Sequence, residues 1–439
     1  MHRIIAAILL LGFAMSPEPE LFAANLLEVY NLAYESDPEL KRIQADRRAT
    51  LEAVPQARAQ LLPALNFNAN VSQHNQDIKT EQLAGTSGEV DFNRHGYSLD
   101  LTQPIFRRDR FIQLKQANSQ VKQADAEVAA ALQDLIVRSA ERYYNVLAAQ
   151  DNIKFVRAEK RSLQRQLEQA SQRFEVGLIA ITDVKEAEAG YNRAVAREIE
   201  AENLLNNARE QLREITGEYL TELTPLSADL PLLEPAPPNI DEWTQTALEQ
   251  NLKVTAARYA VDIAREEISR QSAGHLPTLD LVANQSFLSA GGRFASDTTN
   301  ASVGVELNVP IFQGGEVNSL TREARAQYQA SLDRLERERR AAQRATREAY
   351  LGVIANISSV KALKLTVESQ EIALQATNAG FEVGTRTGVD VVASERALLE
   401  SRRDHARARY DYILQALRMK QAAGTLSPDD VEQFNHYLH

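Results

Sequence analysis

The sequence predicts a mainly α-helical chain with a small amphipathic β component, built as two copies of one unit. Three observations predict it. Markers recur in the same order: Phe174-Glu175-Val176-Gly177 as Phe381-Glu382-Val383-Gly384, Pro104-Ile105-Phe106 as Pro310-Ile311-Phe312, and Leu62-Pro63-Ala64-Leu65 as Leu276-Pro277-Thr278-Leu279. Their spacing is always roughly 210 residues, which marks an internal repeat. Between Pro104 and Gly177 there is no proline or glycine. About 70 residues at 1.5 Å each make a helix of roughly 100 Å, far beyond the usual globular length. Finally, short stretches switch from the helical period to strict alternation.

Taken in order, Ile4 to Met15 is a short apolar run after His2 and Arg3, and small residues follow at Ala23-Ala24. Residues 1–24 therefore read as a secretory signal peptide, with the mature chain starting near Ala24 or Asn25. The first unit spans 25–217 and opens with a glycine-free helical stretch over about 26–61. A hairpin over about 64–106 follows: Leu65, Phe67, Ala69 and Val71 alternate with Asn66, Asn68, Asn70 and Ser72, and Tyr97, Leu99 and Leu101 with Ser98, Asp100 and Thr102. Long helices fill about 107–216. In them Leu114, Ala117, Val121, Ala124, Val128, Ala131 and Leu135 form a heptad seam. Residues 218–243 contain Pro225, Pro231, Pro235, Pro237 and Pro238 and read as a linker. The second unit, 244–422, repeats the plan: a helix, a hairpin over about 278–312, then long helices over about 313–422, of which the stretch from Glu316 to Phe381 contains Gly352 but is otherwise helical in composition. In the second hairpin Val303, Val305, Leu307 and Val309 alternate with Ser302, Gly304, Glu306 and Asn308. Both hairpins are expected to carry long loops. Gly177 and Gly384 are where each long helix reverses, glycine supplying positive φ. Residues 423–439 form a tail.

Bulk properties narrow the function. The formal charge of -11 argues against nucleic-acid binding, and the absence of cysteine rules out disulfides, thiolate ligands and a lipobox anchor. The seven histidines show no zinc-type spacing and no phosphate loop occurs, so neither an enzyme nor a cofactor is expected. Trp243 reads as a packing residue. Strands with one apolar and one polar face suit a transmembrane barrel, but four cannot close one and an open edge in lipid is forbidden. Three chains would supply twelve strands, with the helices continuing below as a cylinder. A soluble sandwich joined to a coiled coil, as in a periplasmic adaptor or structural protein, fits the same pattern. Thr182 and Asp183 at the start of the first returning helix fit plain helix capping, and Asp390 fits a solvated acidic residue near a helix N-terminus.

At Asn25 to Tyr30, Arg173 to Val184, Gln211 to Gly217, His275 to Leu281 and Gly384 to Val391 the chain resembles the TolC family of outer-membrane export channels, in order and over nearly the whole mature length. The resemblance implies a homotrimer with a twelve-stranded outer-membrane barrel, a long α-helical periplasmic barrel, and an equatorial belt formed by the linker and C-terminal tail. It implies a passive exit duct for tripartite multidrug efflux or type I protein secretion in a Gram-negative outer membrane. A periplasmic adaptor (membrane fusion protein) and an inner-membrane pump of RND, ABC or MFS type would open it at the helix tips. Its periplasmic gate maps onto Arg386 with Thr182 and Asp183, the family's gate tyrosine onto Phe381, and a glutamine–glutamate link onto Gln166 and Asn378. The last two departures remove hydrogen bonds and imply a looser closed state. Of two pore-facing aspartates, Asp390 matches the first and Ala393 replaces the second; Glu395 is near but on another face. One carboxylate per chain implies cation preference with weaker multivalent-cation block. Val176, Gly177, Leu178, Val383 and Gly384 match the adaptor-docking tips.

Overall fold

The structure, a computed structural model, describes residues 23–78, 88–292 and 295–438. Most of the predicted signal peptide and the tip of the first hairpin lie outside the described residues. The helical opening is three pieces: α1 (Leu26–Ser36), α2 (Pro38–Leu51) and α3 (Ala53–Ala59). It breaks where Asp37 caps α2 through Leu40 N–H at 2.9 Å and Pro38 takes the first turn, a position that needs no N–H. Asn25 closes a capping box with Glu28 at the start of α1.

Four strands follow the predicted pattern: β1 (Ala64–Ile78), β2 (Gly88–Phe106), β3 (Thr278–Ala290) and β4 (Ser296–Asn308), antiparallel in the order β1-β2-β3-β4. The two hairpins form one sheet because β2 pairs β3 across the repeats. Register aligns Leu65 with Leu101, Tyr97 with Phe287, and Leu281 with Val305 on one face. Asn68 with Ser98, and Asp100 with Asn284, line the other. The expected long loop of the second hairpin is a correction. The polar residues Ser296 to Asn300 extend the ladder above the apolar band, leaving a connection of only residues 291–295, turned at Gly292 with φ 97°.

The long helices are α4 (Arg108–Glu175) and α8 (Glu316–Glu382), of 68 and 67 residues, hence about 100 Å each. They are followed by α5 (Ile181–Thr216) and α9 (Gly388–Ala423), each ending at a left-handed glycine, Gly217 or Gly424. The second unit opens with α6 (Ile240–Gln250) and α7 (Leu252–Ser272), and α10 (Pro428–Asn435) lies near the C-terminus. In the predicted seam Ala117, Ala124 and Leu135 are buried and the others half-buried. Below Leu135, α4 buries Ile136, Tyr143, Tyr144 and Leu147, while Arg138, Glu141 and Arg142 on its other side stay partly exposed. Three irregular segments enclose it. Ala24 bridges Leu223, Leu226 bridges Leu438, and the Tyr412 hydroxyl donates to Leu233 O at 3.1 Å while accepting Leu233 N–H at 2.8 Å. Trp243 is buried there and its indole donates to Pro237 O at 2.9 Å.

Candidate functional site: the sheet faces, the duct wall and the helix tips

Three regions carry functional chemistry. The first is the sheet. On its apolar face Val71 is 82% exposed and Val303 78%, values that soluble sheets avoid for such contiguous rows. Phe67, Tyr97 and Phe287 stack across three strands with centroids 6.2 and 5.5 Å apart. From Leu65 to Val71 this face runs about 20 Å along the strand. Ile105, Phe106, Ile311 and Phe312, all exposed, extend it towards the helices. On the opposite face Asp100 accepts hydrogen bonds from Asn284 at 2.5 Å, Ser98 at 2.8 Å and Asn68 at 3.2 Å. At the strand–helix junction Arg107 pairs with buried Asp280, fixing the direction in which α4 leaves the sheet.

The second region is the wall below. The helices lie side by side as α3, α4, α7 and α8, and one groove touches all four. Gln56, Gln60, Gln113, Gln120, Gln123 and Gln327 line it, and charges of both signs, among them Glu127, Arg334 and Arg337, share the same surface.

The third region is the pair of tips. Each long helix ends in the same double hydrogen bond around a left-handed glycine. Gly177 (φ 76°) donates to Phe174 O at 2.9 Å and Leu178 to Arg173 O at 2.8 Å; Gly384 (φ 78°) donates to Phe381 O at 3.1 Å and Thr385 to Gly380 O at 2.8 Å. The sequence-predicted tips are solvent-facing: Val176, Leu178 and Val383 are 70%, 71% and 75% exposed. Asp183 and Asp390 occupy one position in the two repeats, the third residue of the returning helix. Asp390 accepts from Thr387 N–H at 2.8 Å and from the Thr387 hydroxyl at 2.9 Å; Asp183 accepts from Ala180 N–H at 3.3 Å. The Thr387 backbone and hydroxyl donors, aided by the nearby Arg386 charge, hold the Asp390 carboxyl below the usual range. Both aspartates therefore reach back to the backbone N–H of their helix's N-cap residue, and Asp390 does so as a partly exposed anion.

Gln166, Asp183 and Ala393 line one groove between the two helical hairpins. Thr182, Arg386 and Asn378 are exposed. Among the described residues of one protomer, Arg386 makes no ion pair with Asp183 and Gln166 no hydrogen bond with Asn378. The Phe381 ring lies over Gly388, within 3.8 Å of where a side chain there would begin. Sequence reasoning missed the links between hairpins. Glu395 accepts from Ser162 and lies 3.5 Å from Arg165, while Glu159 pairs with Arg197 at 2.8 Å and Arg396 at 3.4 Å, joining α4, α5 and α9. Only opposite charges at matching heights on different helices could have signalled them.

The pattern described as "Outer membrane efflux protein" matches residues 29–218 and 243–425, one match in each repeat. The chain belongs to the outer membrane efflux protein family. The outer membrane protein TolC of Vibrio cholerae is 40% identical over 419 residues, covering 94% of each chain. The alkaline protease secretion protein AprF of Pseudomonas aeruginosa is 30% identical over 430 residues, covering 96% of this chain and 89% of AprF. The crystal structure of the Campylobacter jejuni CmeC outer membrane channel has the same fold, with a TM-score of 0.79 at 16% identity over 97% of this chain and 95% of that one. This TolC-family efflux protein is an outer-membrane channel for efflux and type I secretion. Among the described residues no helix is long and apolar enough to cross a membrane.

Proposed function

We propose that three copies of this chain close a twelve-stranded outer-membrane barrel that continues as an α-helical duct through the periplasm, opened at its tips by an adaptor and an inner-membrane pump. One observation carries it: the sheet exposes an apolar face and has two unpaired edges, β1 and β4. In lipid those edges must be paired, and a second copy offers the matching edge. The strands, of 13 to 19 residues, exceed the roughly 9–11 needed to cross. The polar sheet face and the polar wall below it then form one continuous passage, without an energy source of its own. The linker and C-terminal tail form the equatorial belt. Arg386 of one protomer reaches Thr182 and Asp183 of the next, a link worth about 0–1 kcal/mol, strong enough to close the mouth when repeated and weak enough to open. Val176, Gly177, Leu178, Val383 and Gly384 present the adaptor surface, and Asp390 a ring of carboxylates inside it. The pump is of RND, ABC or MFS type.

The test is single-channel recording of the detergent-purified protein in a planar bilayer, parent beside Arg386→Ser. A small cation-selective conductance that rises in the variant supports duct and latch. An unchanged conductance removes the latch and keeps the channel. Failure of verified, folded protein to insert removes the duct.

A further inference from the structure

The two tips share a backbone but not a side-chain plan. At the last turn of the long helix the first repeat has Arg173 where the second has Gly380. Two residues past the turn glycine the first has Ile179 where the second has Arg386. Each tip thus holds one arginine, on opposite sides of the same turn. The geometry at the second tip gives the reason. A Cβ on Gly380 would lie 2.7 Å from Arg386 Cγ, 3.2 Å from Thr385 Oγ1 and 3.5 Å from Arg386 Cβ. The first contact is with the stem of the arginine, not its mobile end. The Gly380 carbonyl also accepts from Thr385 N–H at 2.8 Å, the Thr385 hydroxyl at 3.0 Å and Arg386 N–H at 3.1 Å. Gly380 is helical, with no positive φ, so nothing in the backbone calls for glycine there.

We propose that Gly380 is a positioning residue for the gate: its bare Cα is the seat across which the Arg386 stem lies, aiming the guanidinium away from its own helix and towards the neighbouring protomer. This rests on the Arg386 latch proposed above and adds the residue that sets its direction. An alanine in a helix interior is ordinarily favourable relative to glycine, by up to about 1 kcal/mol. Glycine at this position therefore gives up helix stability, consistent with a steric demand from Arg386.

The experiment compares single-channel conductance and cation selectivity of the trimer for the parent, Gly380→Ala, Arg386→Ser and the double variant. Arg386→Ser removes all three links of the trimer and is expected to raise the open population roughly fivefold per link at ~1 kcal/mol each, up to on the order of a hundredfold in all. Gly380→Ala is expected to raise it in the same direction without lowering the melting temperature, and the double variant to match Arg386→Ser alone. If Arg386→Ser opens the channel and Gly380→Ala does not, the seat is refuted and the latch stands. If Arg386→Ser changes nothing, the latch falls and the seat with it. If the double variant exceeds Arg386→Ser by the full Gly380→Ala factor, the glycine acts independently of the arginine and the proposal is overturned. Should Gly380→Ala alone fail to assemble, recovery in the double variant supports the contact and failure of both overturns it.

Discussion

Replacing Arg138 by methionine removes the most buried ion pair of the described helical core, that with Asp37, together with the exposed pair to Asp134 one turn away. Asp37 is 2% exposed at the break between α1 and α2, and Arg138 of α4 donates to both its carboxylate oxygens at 3.1 and 2.8 Å. Burial alone would raise the Asp37 pKa. The hydrogen bonds from Arg138 and Leu40 N–H outweigh it and bring the group below its ordinary value. Methionine fills the space but strands the carboxylate with its backbone donor, which costs about 3–5 kcal/mol per protomer. At about 2 cal/mol/K per residue the melting temperature falls roughly 1 °C per kcal/mol for a chain of this size, hence about 3–5 °C. The second repeat supplies the control. Asn251 caps α7 at the equivalent break without a charge, accepting from Lys253 and Val254 N–H and donating to Ala422 O. Asp37→Asn/Arg138→Met should therefore recover most of the loss, since asparagine caps as well as aspartate. The pH dependence has a defined sign. A depressed carboxyl contributes stability above its unfolded pKa and loses it as pH falls through the lower folded value. The parent–variant gap should be full at neutral pH and close below about pH 4. Circular-dichroism melting of detergent-solubilised protein measures it. An Arg138→Met protein that melts with the parent, or a double variant no better than the single, would refute the assignment.

Other expectations concern the mouth. Asp390→Asn should lower cation preference in bilayer reversal potentials, whereas Asp183→Asn, which alters the equivalent cap, should lower it less; equal effects would remove the Asp390 ring. Because the Asp390 carboxyl is held below its ordinary value, cation preference should persist through the usual carboxylate titration range and be lost only on further acidification. Phe381→Tyr should reduce closed-state conductance by restoring a hydroxyl at the gate, and an unchanged value would dismiss the looser closed state. Glu395→Gln removes the anion that ties α9 to Ser162 and Arg165, so closed-state conductance should rise, by less than for Arg386→Ser; no change would make that contact plain packing.

Much of the fold was legible because it rests on local periodicity. Alternation at Leu65–Ser72 and Ser302–Val309 set the strand faces, and the glycine-free run to Gly177 set α4. The polar tops of the strands were read as loop because residues such as Asp297 and Thr299 carry no apolar signal; cross-strand pairing alone makes them strand. Long-range partners were out of reach. Arg107 with Asp280, and Glu395 with Ser162, are joined by the packing of distant elements, which a one-dimensional pattern does not encode. The acidic residue at the start of the returning helix was legible at Asp390, and the geometry adds that the candidate pore carboxylate is the partner of the Thr387 cap in a capping box. Gly380 was passed over because a glycine inside a helical composition looks like a mere defect until the side chain beside it is seen.

The unlike tips have a consequence for stoichiometry. In the proposed trimer the mouth would alternate, six times around, between a turn bearing Leu178 and Ile179 and one bearing Thr385 and Arg386. The rim then has threefold, not sixfold, symmetry. A ring of identical partners can meet it only with three copies, each spanning one turn of either kind, or with six copies held in two different poses. In the second case a single substitution in the partner would weaken only half of its contacts.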